Sequence, residues 1–248
     1  MSLPAVEATD LALAYTLDRN QASSFKEFAI HLFKGQVQRE TLWALDGASF
    51  EVHPGEVFGV IGPNGAGKST LMKVIARVLP PSKGRVQVRG TIAAMISLGA
   101  GFNPELTARE NVVLYGTLLG RETKIMRGRV EPIIEWAELG DFVDVPVRSF
   151  STGMMARLGF AVATDTEADV LLVDEVFSVG DESFRRKSME RMEKLIAGGT
   201  AVVLVSHSMA MMEQKCQRIM WLDHGKTIML DEAQAVVDAY KESVAEQP

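Results

Sequence analysis

Nine residues, GPNGAGKST at positions 62–70, constrain this 248-residue chain more than any other feature. They match G-x-x-x-x-G-K-[ST], follow directly on the apolar run VFGVI (57–61), and lead into TLMKVIARVL, which has helical periodicity. Strand, glycine-rich loop and helix therefore stand in the order that a phosphate-binding loop requires. The glycines let backbone N–H groups curl around the β- and γ-phosphates of a nucleotide, and the helix start adds a dipole that favours the anion. In that reading Gly62, Pro63, Asn64, Gly65, Ala66 and Gly67 form the cradle and Lys68 reaches the β- and γ-oxygens, while Ser69 ligates Mg²⁺ and Thr70 completes the ATP contact. At average residue frequencies such a pattern arises by chance in a chain of this size roughly 1% of the time, before its context is counted.

The runs around this loop indicate an α/β fold. VFGVI, VLLV (170–173) and AVVLV (201–205) are uniformly apolar, as suits parallel strands covered on both faces. VEATDLAL (6–13), ASFEV (48–52) and GRVQV (84–88) alternate more and are bounded by Gly or Pro, which suits an antiparallel side sheet. Between about 103 and 165 strand signals fade, and TARENVVLYGTLLG, RGRVEPIIEWAELG and STGMMARLGFAVAT carry helical patterns. We expect a single domain in which 1–98 and 166–248 make the mostly parallel core and the antiparallel part, and 99–165 an inserted helical subdomain. The segment SSFKEFAIHLFKG stands apart, because Phe25, Phe28, Ala29, Leu32 and Phe33 fall on one helical face. Ser24 and Glu27 supply a capping box and Gly35 a stop, so a helix is expected over 24–34, packed on its own domain or facing a partner.

Composition removes several function classes. A net charge of −6 without a dense Lys/Arg block gives no general attraction to nucleic acid or anionic lipid, and the cluster Arg185, Arg186, Lys187 is expected to be a solvated helix face. The only cysteine, Cys216, excludes an internal disulfide and fits a small buried apolar residue. No apolar run approaches the roughly 20 residues that span a bilayer, and MSLPAVEATD has neither a charged nor an apolar leader region. The chain is expected in the cytosol, touching a membrane only through a partner.

Two further elements share the strand-end logic of the loop. DVLLVDEVFSVGD (169–181) is an apolar strand ending in Asp174 and Glu175, at the sheet edge where ligands of open parallel sheets bind. Asp174 suits the Mg²⁺ shell, and Glu175 the general base that orients attack on the γ-phosphate. AVVLVSHSM (201–209) is another buried strand ending near His207, whose imidazole would reach the γ-phosphate and the attacking water.

FSTGMMARLGFAVA (150–163) narrows the class of phosphate-loop enzyme. Phe150, Ser151, Thr152, Gly153 and Met154 resemble the signature of ABC (ATP-binding cassette) ATPases, in the place of the more common LSGGQ and some 20 residues before Asp174. The resemblance implies that Ser151 and the Gly153 amide complete the ATP pocket of the opposite subunit, so that two copies sandwich two ATP molecules. Asp181, in SVGD, resembles the aspartate that joins the two sites across the dimer, and Tyr15 the aromatic that stacks on adenine. ISLGAGFNPELTARENV, the STGM signature, VGD in place of ALD, and an insert over 18–41 together resemble the ATPases of lipid-linked polysaccharide exporters, of O-antigen, capsule or teichoic acid type. That implies a homodimer at the cytoplasmic face of a bacterial inner membrane, bound to a polytopic permease dimer.

One position departs from the family pattern. A typical member has a Gln at the entrance to the helical subdomain, and the nearest equivalents here are Leu98 and Gly99. Some relatives carry an added C-terminal sugar-binding domain, which is not expected after VVDAYKESVAEQP. The alternatives are an ABC ATPase of another transporter, a non-transport ABC switch protein, a small-molecule kinase, and a nucleotide binder without turnover. The signature and His207 argue against the kinase, and Glu175 against the inactive binder.

Overall fold

A computed structural model describes residues 3–18, 39–95, 101–165, 168–174 and 181–245. Along the chain β1 (Val6–Asp18) and β2 (Arg39–Val52) are followed by β3 (Val57–Ile61), α1 (Lys68–Ile75), β4 (Lys83–Val88) and β5 (Ile92–Met95). Helices α2 (Ala108–Leu118), α3 (Thr123–Trp136) and α4 (Thr152–Thr164) precede β6 (Val170–Asp174) and α5 (Glu182–Ala197). The chain continues through β7 (Ala201–Val205), α6 (Met209–Lys215), β8 (Arg218–Asp223), β9 (Lys226–Glu232) and α7 (Ala233–Ala245).

The three apolar runs lie side by side in a six-stranded sheet of order β5-β6-β7-β3-β8-β9. Pairing is parallel except between β8 and β9. All five residues of β3 and of β7 are buried, because their two faces enter different cores. Phe58, Val60, Val203 and Val205 meet α1 and the side sheet, whereas Val57, Ile61, Val202 and Leu204 meet α4, α5 and α7. Each such side chain removed from water contributes about 1.5–3 kcal/mol, which is why an unbroken apolar run, and no alternation, marks these strands. The alternating runs form a three-stranded antiparallel sheet of order β2-β1-β4, with Val6 opposite both Val52 and Val88. Strand β5 was not legible as a strand: Ile92–Met95 is four residues long and, among the described residues, pairs only with β6, so two small alanines suffice.

A third apolar cluster lies within residues 102–162 and is built by α2, α3 and α4. Thr107 and Glu110 close a capping box on α2, with Thr107 N–H donating to Glu110 Oε2 at 2.8 Å. The fully buried Asn111 carboxamide donates to the carbonyls of Asn103, Leu106 and Thr107, each at 3.0 Å, and so fixes the loop ahead of that helix. Helix α4 is anchored at its C-terminal end by arginines. Arg129 makes two bonds to the buried Asp165 carboxylate, at 2.9 and 2.7 Å, while Arg121 and Arg191 donate to the carbonyls of Val162 and Thr164. Cations there also complement the negative end of the helix dipole. Aromatic stacking adds a seam, as Phe160 of α4 lies 5.5 Å from the Trp136 ring and edge-on to Phe184 of α5.

One expectation changes and one is met. Arg185 and Arg186 are exposed, but Lys187 is no solvated charge: its ammonium donates to the Trp136 carbonyl at 2.8 Å and pairs with Glu138 at 2.9 Å. Lys187 follows the buried Phe184 by three residues, so its stem lies on the packed face and its head reaches the end of α3. Strand β1 runs through Asp18 and β2 starts at Arg39, with those two residues paired, so both ends of the segment expected as an insert over 18–41 lie on neighbouring strands. The helix expected over 24–34 lies outside the described residues, as do Leu98 and Gly99. Cys216 is buried, and burial pushes its thiol pKa up to about 12, so it stays a neutral packing residue.

Candidate functional site

Register places the site. Val60 of β3 pairs with Val205 of β7, and Val205 pairs with Asp174 of β6, so three parallel strands end at one level. What leaves those ends is the glycine-rich loop, Asp174 and His207, brought to a single edge by sheet geometry. There they line a cavity of about 890 Å³, together with Asn64, Gly65, Ala66 and Gly67 of the loop and Lys68, Ser69 and Thr70 at the start of α1.

The loop can take this shape only with glycine at two points. Gly62 has φ +144°, and a Cβ there would lie 2.0 Å from the Leu222 carbonyl oxygen. Gly67, left-handed at φ +106°, caps α1 and faces the Ala44 carbonyl oxygen, which a Cβ would approach to 2.3 Å. Lys68 is buried and its ammonium donates to the carbonyls of Gly62 at 2.7 Å and Pro63 at 2.9 Å. These two residues do not line the cavity themselves; their carbonyls hold the lysine that does. A cation tethered by carbonyls over a helix N-terminus makes this wall a receptor for a polyphosphate. Ser69 and the half-buried Asp174 carboxylate add hard oxygen donors to the same wall, a donor set that fits Mg²⁺ held jointly with phosphate oxygens.

Aromatic and aliphatic side chains line another part of the cavity. Tyr15 of β1 is there, 38% exposed, with Leu42, Trp43 and Ala44 of β2. Leu42 pairs directly with Tyr15 and Trp43 with Ala14, so the aromatic wall is a product of the β1–β2 register. Lys83 of β4 stands 4.7 Å from the Trp43 ring centroid. Trp43, Leu42, Ala44, Val205 and His224 are lining residues that motif reading missed. No motif names them, since they reach the cavity only through strand pairing.

The remaining expected residues lie elsewhere. Ser151 caps α4, accepting from Met154 N–H at 3.2 Å, and is exposed at that helix start with Gly153 beside it; neither lines the cavity. Asp181 caps α5, and its carboxylate is held below the usual range by the Phe184 backbone N–H, then by the Ser183 hydroxyl and Arg157. Arg157 lies in the middle of α4, so the Asp181–Arg157 ion pair joins the body of α4 to the start of α5. Glu175 lies outside the described residues.

With this geometry in place, the likeness to known proteins is specific. Residues 45–178 match the ABC transporter family. An O-antigen export system ATP-binding protein of Klebsiella pneumoniae is 39% identical over 248 residues, covering 98% of this chain and 99% of that protein. A teichoic acids export ATP-binding protein of Enterococcus faecalis is 37% identical over 93% of this chain and 51% of its own length. Among solved structures, a dimeric ATP-binding cassette in a post-hydrolysis state bound to ADP and phosphate superposes with a TM-score of 0.74 at 22% identity, covering 92% of this chain and 98% of that one. The ATP-binding subunit of an ABC transporter gives the same score and identity over 95% and 93%.

The phosphate wall yields a direct expectation. Lys68→Ala removes the cation that lines the cavity, and losing two charge-assisted bonds from its ammonium to phosphate oxygens, about 1.5 kcal/mol each, should lower ATP affinity by roughly 10²-fold. Equilibrium titration with ATP checks it, and affinity within a factor of about three of the parent would remove Lys68 from the phosphate site.

Proposed function

We propose, given that this chain belongs to the ABC transporter family, that it is the ATP-hydrolysing subunit powering export of a lipid-linked cell-surface polysaccharide through a separate membrane permease. Its cargo class rests on one observation, the 39% identity that runs the length of both this chain and an O-antigen export ATP-binding protein. Among the described residues no helix is long and apolar enough to cross a membrane, so the lipid-linked polymer must pass through another protein.

In this proposal Lys68 and the loop amides bind the β- and γ-phosphates, and Tyr15 stacks on the base. Ser69 and Asp174 would hold Mg²⁺, which supplies charge neutralisation at the phosphates when bound. Glu175 takes a proton from water as its oxygen attacks the γ-phosphorus, the bond to the β-phosphate oxygen breaks, and ADP and phosphate leave. His207 orients that water and the γ-phosphate from the end of β7. Residues 99–165 act as a helical subdomain inserted between 1–98 and 166–248, and they present Ser151 and Gly153 to the ATP of a second copy. Asp181 links the two sites. Closing and opening around two ATP molecules is the mechanical step delivered to the permease at the cytoplasmic face of the bacterial inner membrane.

Three outcomes are expected. Glu175→Gln should retain ATP binding and lose about 10²- to 10⁴-fold in turnover, the range set by removing a general base; near-normal steady-state hydrolysis would falsify the assignment. Lys68→Ala and Ser151→Arg proteins, each inactive alone, should recover part of the activity on mixing, because one composite site of the heterodimer then carries both lesions and the other neither. No recovery at any mixing ratio would argue against composite sites. Deleting the gene should leave undecorated lipid-linked polymer inside the cell, detected by glycan staining of fractions. Unchanged surface polymer with lost uptake of a nutrient would make the chain an importer subunit.

A further inference from the structure

The β8–β9 hairpin closes with a two-residue turn, His224-Gly225, between the paired residues Asp223 and Lys226. Both turn residues have positive φ, +45° and +79°. Such turns favour Asn-Gly or Gly-Gly, since the left-handed region is unfavourable for most side-chain-bearing residues. His224 gains nothing there by packing, its side chain being 92% exposed.

The turn is nevertheless fixed with care against the nucleotide site. Gly225 N–H donates to the Ala66 carbonyl of the phosphate loop at 3.0 Å, and Gly225 carbonyl accepts from Asp46 N–H at 2.8 Å. A Cβ on Gly225 would meet the Ala44 and Trp43 carbonyls at 3.0 and 3.1 Å, so the turn is wedged between the loop and β2. The imidazole is held as well. Asp223 Oδ1 is buried without an aligned hydrogen bond, and it lies 2.8 Å from His224 Nδ1 as a close polar contact. That contact keeps Nδ1 on the Asp223 side of the ring and leaves Nε2 on the opposite side.

Of the two histidines lining the cavity, His207 follows β7 at the strand ends with Asp174, whereas His224 belongs to the turn whose Gly225 abuts the Ala44 and Trp43 carbonyls of β2, the strand that pairs with Tyr15. We infer that His224 is a nucleotide-binding residue that contacts the sugar and base of the nucleotide, carried into place by the β8–β9 turn. The inference rests on the reading of this cavity as the ATP site. A turn residue anchored through Ala66 transmits the position of the phosphate loop to the nucleoside wall, so one rigid unit grips both ends of the ligand.

His224→Asn tests the inference, because Asn suits the left-handed turn and shortens the side chain. The variant should melt no lower than the parent, which separates ligand contact from a broken hairpin. Binding is measured by calorimetry with ADP, and with inorganic pyrophosphate as a probe that has no base or sugar. Loss of one hydrogen-bonding contact should weaken ADP about five- to tenfold and leave pyrophosphate within about twofold. ADP affinity unchanged within twofold overturns the proposal, and so does an equal loss for ADP and pyrophosphate, which would assign His224 to the phosphates or to loop geometry. Lys68→Ala run alongside tests the premise: if it binds ADP as tightly as the parent, the cavity is not the ATP site and the assignment of His224 falls with it.

Discussion

Everything functional in this chain depends on the register of three buried parallel strands. Val60 opposite Val205, and Val205 opposite Asp174, are ordinary backbone pairings between apolar strands. They nonetheless determine that residues separated by more than a hundred positions in sequence, Lys68 and Asp174, share one cavity wall. A one-residue slip would turn every side chain of a strand to the other face. Each strand divides its side chains between two distinct apolar cores, so such a slip exchanges both sets at once and the packing resists it. Hydrophobic burial thus holds the cavity edge in place.

The second constraint is the independence of the helical layer. Its apolar cluster is largely its own, and it meets the rest of the domain through Phe160, Trp136 and Phe184, and through ion pairs of Lys187 with Glu138 and of Arg157 with Asp181. Helix α4 is gripped by arginines at its C-terminal end and leaves Ser151 exposed at its N-terminal end. A capped, exposed helix start that does not line its own chain's cavity is the arrangement a site completed by another molecule would use. Surface ion pairs of this kind are individually weak, so the layer's position relative to the core is set mainly by the aromatic seam.

Local chemistry was legible wherever the residue types alone dictate it. GPNGAGKST can bend sharply because Gly62 and Gly67 lack a Cβ, and the structure places carbonyl oxygens where those Cβ atoms would be. The apolar strands and the buried Cys216 follow from water exclusion in the same way. Lys187 was misjudged for a physical reason: in sequence it is one of three consecutive cations, and only the helix phase relative to Phe184 tells it from Arg186.

By itself, then, the sequence determined the phosphate loop, the strand-end position of Asp174 and His207, the α/β class and the family, because each depends on spacing within a few neighbouring residues or on motifs that no other local structure satisfies. Tertiary structure alone decided the wall facing the loop. Trp43 and Leu42 arrive through antiparallel pairing with β1, and His224 through a hairpin wedged against Ala66 and Ala44. Pairing partners and wedge contacts are long-range choices made by burial over the whole domain, and no local pattern of residue types encodes which strand edge a given tryptophan or histidine will meet.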